Sequence, residues 1–129
     1  MTITPNLKPR AMAAAVLCAL AALPAAAQEW PAKPVRMVIP FPPGGGNDIV
    51  GRIVALKLAE GLNQSVVVDN RGGAGGTIGT DMTAKAPPDG YTVLINNISL
   101  AVNATLFAKL PYDTLKDLAP VTLVGRHPN

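Results

Sequence analysis

The sequence predicts an α/β fold in which a mainly parallel sheet carries helices on both faces. Three short runs rich in β-branched residues start near Val35, Val66 and Tyr91, and each precedes a longer stretch with apolar residues at helical spacing. Such alternation is typical of parallel sheets, because each return to the sheet needs a crossover. The runs 66–68 and 93–95 are continuously apolar, which indicates strands buried on both sides.

The first unit combines a strand, a loop of glycines and prolines, and a helix. Residues 35–39 predict the strand, and the spacing of apolar residues from Ile49 to Leu62 predicts the helix. Asn47 or Asp48 can cap the start of this helix, and Gly61 marks its expected end.

The later units repeat this scheme along the rest of the chain. We expect strands at 65–69 and 91–95, a glycine-rich loop at 71–76 and helices at 78–86 and about 99–110. A fourth strand is expected at 118–124, in the apolar segment that follows the third helix.

The N-terminal residues 1–27 are typical of a secretory signal peptide. Lys8 and Arg10 precede an apolar run at 11–23, and small residues up to Ala27 predict cleavage before Gln28. The run is about half of the roughly 20 residues that a bilayer span needs, so we expect no membrane insertion of the mature chain. Cys18 lies in the leader, which leaves the mature chain without a disulfide or a thiolate metal site.

The charge distribution argues against a nucleic-acid partner. The formal net charge is +3, and removal of Lys8 and Arg10 with the leader leaves +1, with no run of like charges. The chain has one Trp and no basic stripe interleaved with aromatic residues, which nucleic-acid surfaces usually require.

Groups for catalysis or metal binding are scarce. His127 is the only histidine, the aspartates form no spaced pair, and no Gly-x-Ser-x-Gly motif occurs. Most aspartates fit caps or turns, and clusters of metal ligands are absent from the sequence. We therefore expect no enzyme, no cofactor and no metal.

The loop between the first strand and the first helix is suited to an anion. Gly44 to Gly46 expose backbone N–H groups, and Asn47 and Asp48 open a helix whose positive end faces them. If the strands lie in the order 2-1-3, the crevice at the switch point is bordered by the loops 41–48 and 96–101. The alternative is that the prolines and glycines form only a stiff connector.

Two other glycine patterns offer nucleotide-binding alternatives. Residues 46–53 have P-loop spacing, but Arg52 and Ile53 stand where lysine and a hydroxyl residue belong. Residues 72–79 follow a strand and open a helix, which is the position of a dinucleotide-binding fingerprint. However, Ile78 breaks the glycine spacing and no acidic residue follows the next strand. Close packing of a helix on a strand explains the second pattern equally well.

Three segments resemble one known family at the expected spacing. They are WPAKPVRMVIPFPPGGGNDIVGR, VVVDNRGGAGGTIGTDMTAKAPPDGYTVL and LFAKLPYDTLKDLAPVTLV, and they resemble the extracytoplasmic substrate-binding proteins of tripartite tricarboxylate transporters, the Bug or TctC family. The resemblance runs in register from Trp30 to about Pro128. It implies a type II periplasmic-binding-protein fold, of which residues 28–129 form part of lobe one, with the second lobe absent through truncation or fragmentation.

The resemblance also implies a carboxylate site made by two loops. In the first loop, Gly44, Gly45 and Gly46 would supply backbone donors, Asn47 a side-chain hydrogen bond, Asp48 the orientation of the loop, and Phe41 a wall. In the second, matching 96–103, the expected ligand-binding residues are Asn96, Asn97 and Ser99. This loop reads Asn-Asn-Ile-Ser-Leu-Ala-Val-Asn, where many members carry Gly-Thr and Ser or His.

The resulting interpretation is a periplasmic solute-binding protein that captures a small organic carboxylate and delivers it to membrane transporter subunits. Two alternatives remain open: an exported dinucleotide-binding enzyme fragment, and a truncated remnant that binds nothing. Without a second lobe, we expect a bound acid to stay exposed to water on one side.

Overall fold

The computed structural model describes residues 29–126, which form a three-stranded sheet and its crossover helices. In chain order the elements are β1 (Val35–Ile39), α1 (Gly46–Leu62), β2 (Val66–Asn70), a 3-10 turn (Ala74–Gly76), α2 (Thr77–Ala84), β3 (Thr92–Leu94) and α3 (Ser99–Leu106). The predicted signal peptide 1–27, its cleavage site before Gln28, and His127 lie outside the described residues.

The strands run in the predicted parallel direction and lie in the 2-1-3 order on which the expected crevice depends. β1 lies in the middle and pairs in parallel with β2 on one side and β3 on the other. Met37 stands opposite Val68 and Val93 in this register. Val38 and Ile39 are fully buried, so the central strand leads directly from the core to the loop expected to bind an anion.

Helices cover both faces of the central strand, as predicted. On one face, Met37 and Ile39 pack against Ala55 of α1. On the other face, α2 lies against β1 and β3, and Met82 of α2 contacts the guanidinium of Arg36.

Two glycines allow this close approach. A Cβ on Gly51 of α1 would lie 2.5 Å from Ile39 Cδ1, and one on Gly79 of α2 would lie 2.7 Å from the Arg71 carbonyl oxygen. The Ile39 methyl group is the end of a flexible side chain and could move, but the atoms around Gly79 include backbone atoms of Arg71 and Pro40 that cannot easily shift. The requirement for glycine is therefore strongest at Gly79, where α2 meets the backbone beside the sheet.

The helix boundaries differ from the sequence prediction at several ends. α1 begins at Gly46 with Gly45 at the N-cap, so neither Asn47 nor Asp48 is the cap. α1 also continues through Gly61 and ends before Asn63, which adopts the left-handed conformation with φ 47°. α3 ends at Leu106 rather than near residue 110.

The predicted fourth strand is wrong for the described part of the chain. Residues 118–124 form no strand, and Val121 and Leu123 are 87% and 66% exposed. An extended segment becomes a strand only when its backbone groups find a partner, and no strand within 29–126 pairs with it. Apolar, β-branched composition therefore was not sufficient to predict a strand at 118–124.

Burial of β2 on both faces is also not found. Val67 is 54% exposed, because β2 is an edge strand and α2 lies against β1 and β3 instead.

Within residues 29–126, no helix has the length and apolarity required to cross a bilayer.

Substitution of Gly79 by alanine should destabilise the fold. The new Cβ would lie 2.7 Å from the Arg71 carbonyl oxygen and 2.8 Å from Pro40 Cβ, and overpacking of this kind costs about 1–3 kcal/mol. Gly61→Ala is the matched control, since no atom lies within 4 Å of its Cβ position and helical Gly→Ala gains up to about 1 kcal/mol. Urea unfolding measures both, and a Gly79→Ala protein as stable as the parent would contradict the close packing.

Candidate functional site

The loop after β1 turns sharply before it enters α1. Pro40 is buried and Phe41 is half-buried, and the exposed Pro42 and Pro43 lead to Gly44, whose φ of +82° favours glycine. Gly45 instead has φ −79° and ψ 170°, an extended conformation open to any residue. The backbone requirement for glycine therefore falls on Gly44.

Asp48 is the centre of the hydrogen bonds that hold this loop. Its side chain is buried, and Oδ2 accepts from the Gly44 N–H at 2.9 Å and from Arg52 Nε at 3.0 Å. Its Oδ1 accepts from Asn70 Nδ2 at 3.0 Å. Asp48 thus bonds to the loop from inside the helix and not as its cap, and its orienting role in ligand binding stays a prediction.

Asn70 connects the same loop to the end of β2. Its Nδ2 also donates to the Phe41 carbonyl oxygen at 3.1 Å, and its Oδ1 accepts from Arg52 at 3.3 Å. One amide thus contacts the start of the loop, the buried aspartate and the arginine that neutralises it.

These bonds lower the pKa of Asp48 to about 2 from its ordinary value of 3.8. The hydrogen bond from Arg52 is the largest cause, followed by those from the Gly44 N–H and from Asn70. The carboxylate therefore stays ionised at neutral pH, and the adjacent guanidinium compensates its charge. Without that compensation, Asp48 would repel an anion approaching the loop.

The free donors of the loop are the N–H groups of Gly45, Gly46 and Asn47. They donate to no acceptor within residues 29–126, since the first turn of a helix has no preceding carbonyls. The Gly44 N–H, by contrast, is occupied by Asp48. The donor role expected for Gly44 is therefore revised, because this residue shapes the turn. The free N–H groups of Gly45, Gly46 and Asn47 lie at the positive end of α1.

The second loop follows β3 at the same edge of the sheet. Asn96 Oδ1 accepts from Ser99 Oγ at 3.1 Å and from the Asn97 N–H at 2.8 Å, and Asn97 Oδ1 accepts from the Ser99 N–H at 2.8 Å. The three residues predicted in this loop are thus brought together. The Asn96 Oδ1 accepts two hydrogen bonds and its Nδ2 donates one, to Thr80. Asn97 is exposed.

A glycine turn at residues 72–76 lies between the two loops. A Cβ on Gly72 would be 3.4 Å from Pro42, and one on Gly76 would be 3.4 Å from Phe41 Cζ. On its other side, the Gly75 carbonyl oxygen accepts from Asn103 Nδ2 at 2.9 Å. The contacts at Gly72 and Gly76 are ordinary van der Waals separations, and the positive φ angles of Gly73, Gly75 and Gly76 are what favour glycine in this turn. Phe41 lies against the turn.

Sequence reasoning missed four residues that shape the site: Arg52, Asn70, Thr80 and Asn103. Asn70 follows the apolar part of β2 as Asn96 follows β3, so the rule that placed the second loop at the carboxyl edge could have found it. No sequence signal marks Thr80 or Asn103, whose partners lie in a turn with left-handed glycines.

A groove of about 390 Å³ lies away from the two loops. It is lined by residues of both β1 and β2, and there Arg36 and Arg71 both pair with Asp69. Within the described part of the chain, no three His, Cys, Asp or Glu side chains are placed to hold a metal ion.

The Asp48 network should make stability depend on acid. A carboxylate whose pKa is lowered by folding stabilises the protein fully above its unfolded value of 3.8, and that contribution is lost as pH falls towards about 2. Asp48→Asn should therefore lower the urea midpoint at pH 7 and flatten its decline between pH 4 and pH 2.

Arg52→Gln removes the largest cause of the lowered pKa and should produce an intermediate profile. Urea titrations at several pH values compare the three proteins. Parallel profiles for the parent and Asp48→Asn would show that Asp48 has no such linkage.

Comparisons with known proteins agree with this architecture. Residues 50–129 match the family described as "Tripartite tricarboxylate transporter family receptor", TctC. Protein BugT of Bordetella pertussis is 50% identical over 109 residues, which cover 83% of this chain and 33% of BugT.

Two solved structures have the same fold over the matched part. The periplasmic binding protein BugD is 41% identical with a TM-score of 0.66, covering 68% of this chain and 29% of BugD. MatC from Rhodopseudomonas palustris with bound malate is 36% identical with a TM-score of 0.70, covering 74% of this chain and 33% of MatC.

The chain spans about a third of the length of the curated relatives that it matches. The likeness to BugD confirms the predicted fold class, an α/β fold of the periplasmic-binding-protein type present as a partial domain. The chain belongs to the family of tripartite tricarboxylate transporter receptors.

Proposed function

We propose that this chain is the N-terminal part of lobe one of a solute-binding protein that captures a small organic carboxylate for a tripartite transporter. The observation that carries the proposal is the set of free N–H groups at Gly45, Gly46 and Asn47, held in place by Asp48. The family assignment supports it, and so does the malate bound to the related MatC.

The first loop would hold one carboxylate of the ligand. Hydrogen bonds from backbone N–H groups to a charged acceptor are worth about 1.5–3 kcal/mol each, and the helix terminus adds a favourable potential. The ion pair between Asp48 and Arg52 leaves this end of the site with little net charge. Selectivity would then come from the geometry of the donors and not from a surplus of positive charge.

The second loop would contact the other end of the acid. Asn97 is exposed and its amide can donate, and the Ser99 hydroxyl retains acceptor capacity after donating to Asn96. A hydroxyl on the ligand could donate to Ser99, and a second carboxylate could accept from the Asn97 amide. A small dicarboxylate is therefore the ligand class that we propose.

The remaining parts of the proposal concern the whole protein. Residues 1–27 would be removed as a signal peptide before Gln28, and the mature protein would work in the periplasm, passing its ligand to membrane subunits. A second lobe, supplied by a longer chain, would close over the acid and exclude competing water. Binding alone fulfils this role, so no catalysis and no cofactor are proposed.

Calorimetry on the exported protein tests the proposal with succinate, malate, adipate, citrate and NAD. We expect a dicarboxylate to bind and NAD to give no heat. A ligand at 100 times its Kd should also stabilise the fold by roughly 2.7 kcal/mol.

Gly45→Val should weaken binding about tenfold or more, because the valine side chain covers the neighbouring N–H groups. The extended backbone at Gly45 tolerates valine, so the fold should remain intact.

Gly61→Val is the control, since it adds the same side chain to an exposed helical position with open space around it. Its affinity should equal that of the parent. A folded Gly45→Val protein with unchanged affinity would mean that the loop is only a connector. Binding of NAD without any dicarboxylate would favour an exported dinucleotide-binding enzyme. Binding of neither NAD nor a dicarboxylate, together with weakly cooperative unfolding, would favour a remnant that binds nothing.

A further inference from the structure

Helix α3 carries the end of the second loop but buries almost nothing of its own. Its one buried residue is polar: Asn103 is 4% exposed, whereas Val102 and Leu106 are 45% and 70% exposed. A surface helix usually docks through an apolar stripe. Here an amide occupies the docking position, and a buried amide is unfavourable unless it is hydrogen bonded.

The bond that satisfies this amide has a defined direction. Asn103 Nδ2 donates to the Gly75 carbonyl oxygen at 2.9 Å, and left-handed conformations at Gly75 and Gly76, with φ of 63° and 92°, orient the turn that presents it. An apolar contact would let the helix slide or rotate. A hydrogen bond weakens steeply with misalignment and so fixes both the axial position and the rotation of α3.

The same helical face leads to the predicted ligand-binding side chain. Ser99 lies four residues before Asn103, one turn away on the same side of the helix. Ser99 Oγ donates to Asn96, whose Nδ2 donates to Thr80 Oγ1 at 3.1 Å. Thr80 in turn donates to the Gly76 carbonyl oxygen at 2.8 Å.

The second loop is therefore attached to the glycine turn at two points, Gly76 through Thr80 and Gly75 through Asn103. The turn itself lies against Phe41 and Pro42 of the first loop. Loss of the Asn103 bond would leave α3 free to pivot about the remaining attachment. The distance from Ser99 to the free N–H groups of the first loop would then vary.

We infer that Asn103 is a positioning residue for carboxylate binding, which acts by holding Ser99 at a fixed distance from the first loop. This inference rests on the proposed function for the identity of the ligand. The anchoring of α3 by Asn103 can be tested without any ligand.

The binding test uses Asn103→Leu, which keeps the side-chain size and removes the hydrogen bond, and Asn103→Ser, which is too short to reach Gly75. Thr105→Val is the control on the same helix, because its hydroxyl is exposed and bonds only to the Val102 carbonyl. We expect the Kd for malate to rise about tenfold in either Asn103 variant and to stay within twofold in the control, at a temperature where all are folded.

A double substitution separates positioning from a merely structural role. In a Ser99→Ala background, Asn103→Leu should raise the Kd by less than threefold, because the residue through which Asn103 acts is gone. Equal effects of Asn103→Leu with and without Ser99, or an unchanged Kd in a folded Asn103→Leu or Asn103→Ser protein, would overturn the inference.

Hydrogen exchange without ligand completes the test. Asn103→Leu should speed the exchange of the α3 amides at least tenfold. These amides include the Phe107 N–H, which donates to the Asn103 carbonyl. The exchange of the β1 amides should stay unchanged. If the parent protein binds no carboxylate, the proposed function fails while this measurement still decides the anchoring. Unchanged exchange in α3 would overturn the role of Asn103 regardless of any ligand.

Discussion

The buried carboxylate of Asp48 is the interaction on which the candidate site depends. It joins the turn at Gly44, the second helical turn of α1 through Arg52, and the end of β2 through Asn70. One carboxylate therefore connects the loop and α1 to a strand end that lies 22 positions further along the chain. Because a buried charge is unfavourable unless it is hydrogen bonded, a displacement of the loop that breaks these bonds would cost free energy.

The glycines extend this constraint from the loop to the sheet. Gly51 and Gly79 let α1 and α2 lie directly on opposite faces of β1, so that the carboxyl ends of the strands stay together at one edge. The turn at Gly75 and Gly76 then fills the space between the two loops and bonds to the second through Asn103 and Thr80. Packing and polar contacts thus act together to place two short loops next to each other.

Much of this arrangement could be predicted from sequence because it follows from local pattern. Alternation of strand and helix predicted the parallel sheet, and the usual 2-1-3 order, taken as a condition, placed both loops at one edge, as the structure has them. The hydrogen bonds could not be predicted, since Asn70 and Asp48 are 22 positions apart and either could have served as a turn residue. The fourth strand failed for a related reason: residues 118–124 have strand composition, but a strand exists only with a partner, which composition does not specify.

The most direct measurement is a titration of the ¹⁵N-labelled protein with malate, followed by amide NMR. If the free N–H groups at Gly45 and Gly46 bind the carboxylate, their signals should move with one shared saturation curve. The Gly44 signal should move much less, because Asp48 already accepts its proton. Shifts confined to the groove beside Arg36 and Arg71, with the signals of residues 44–47 unmoved, would contradict the account.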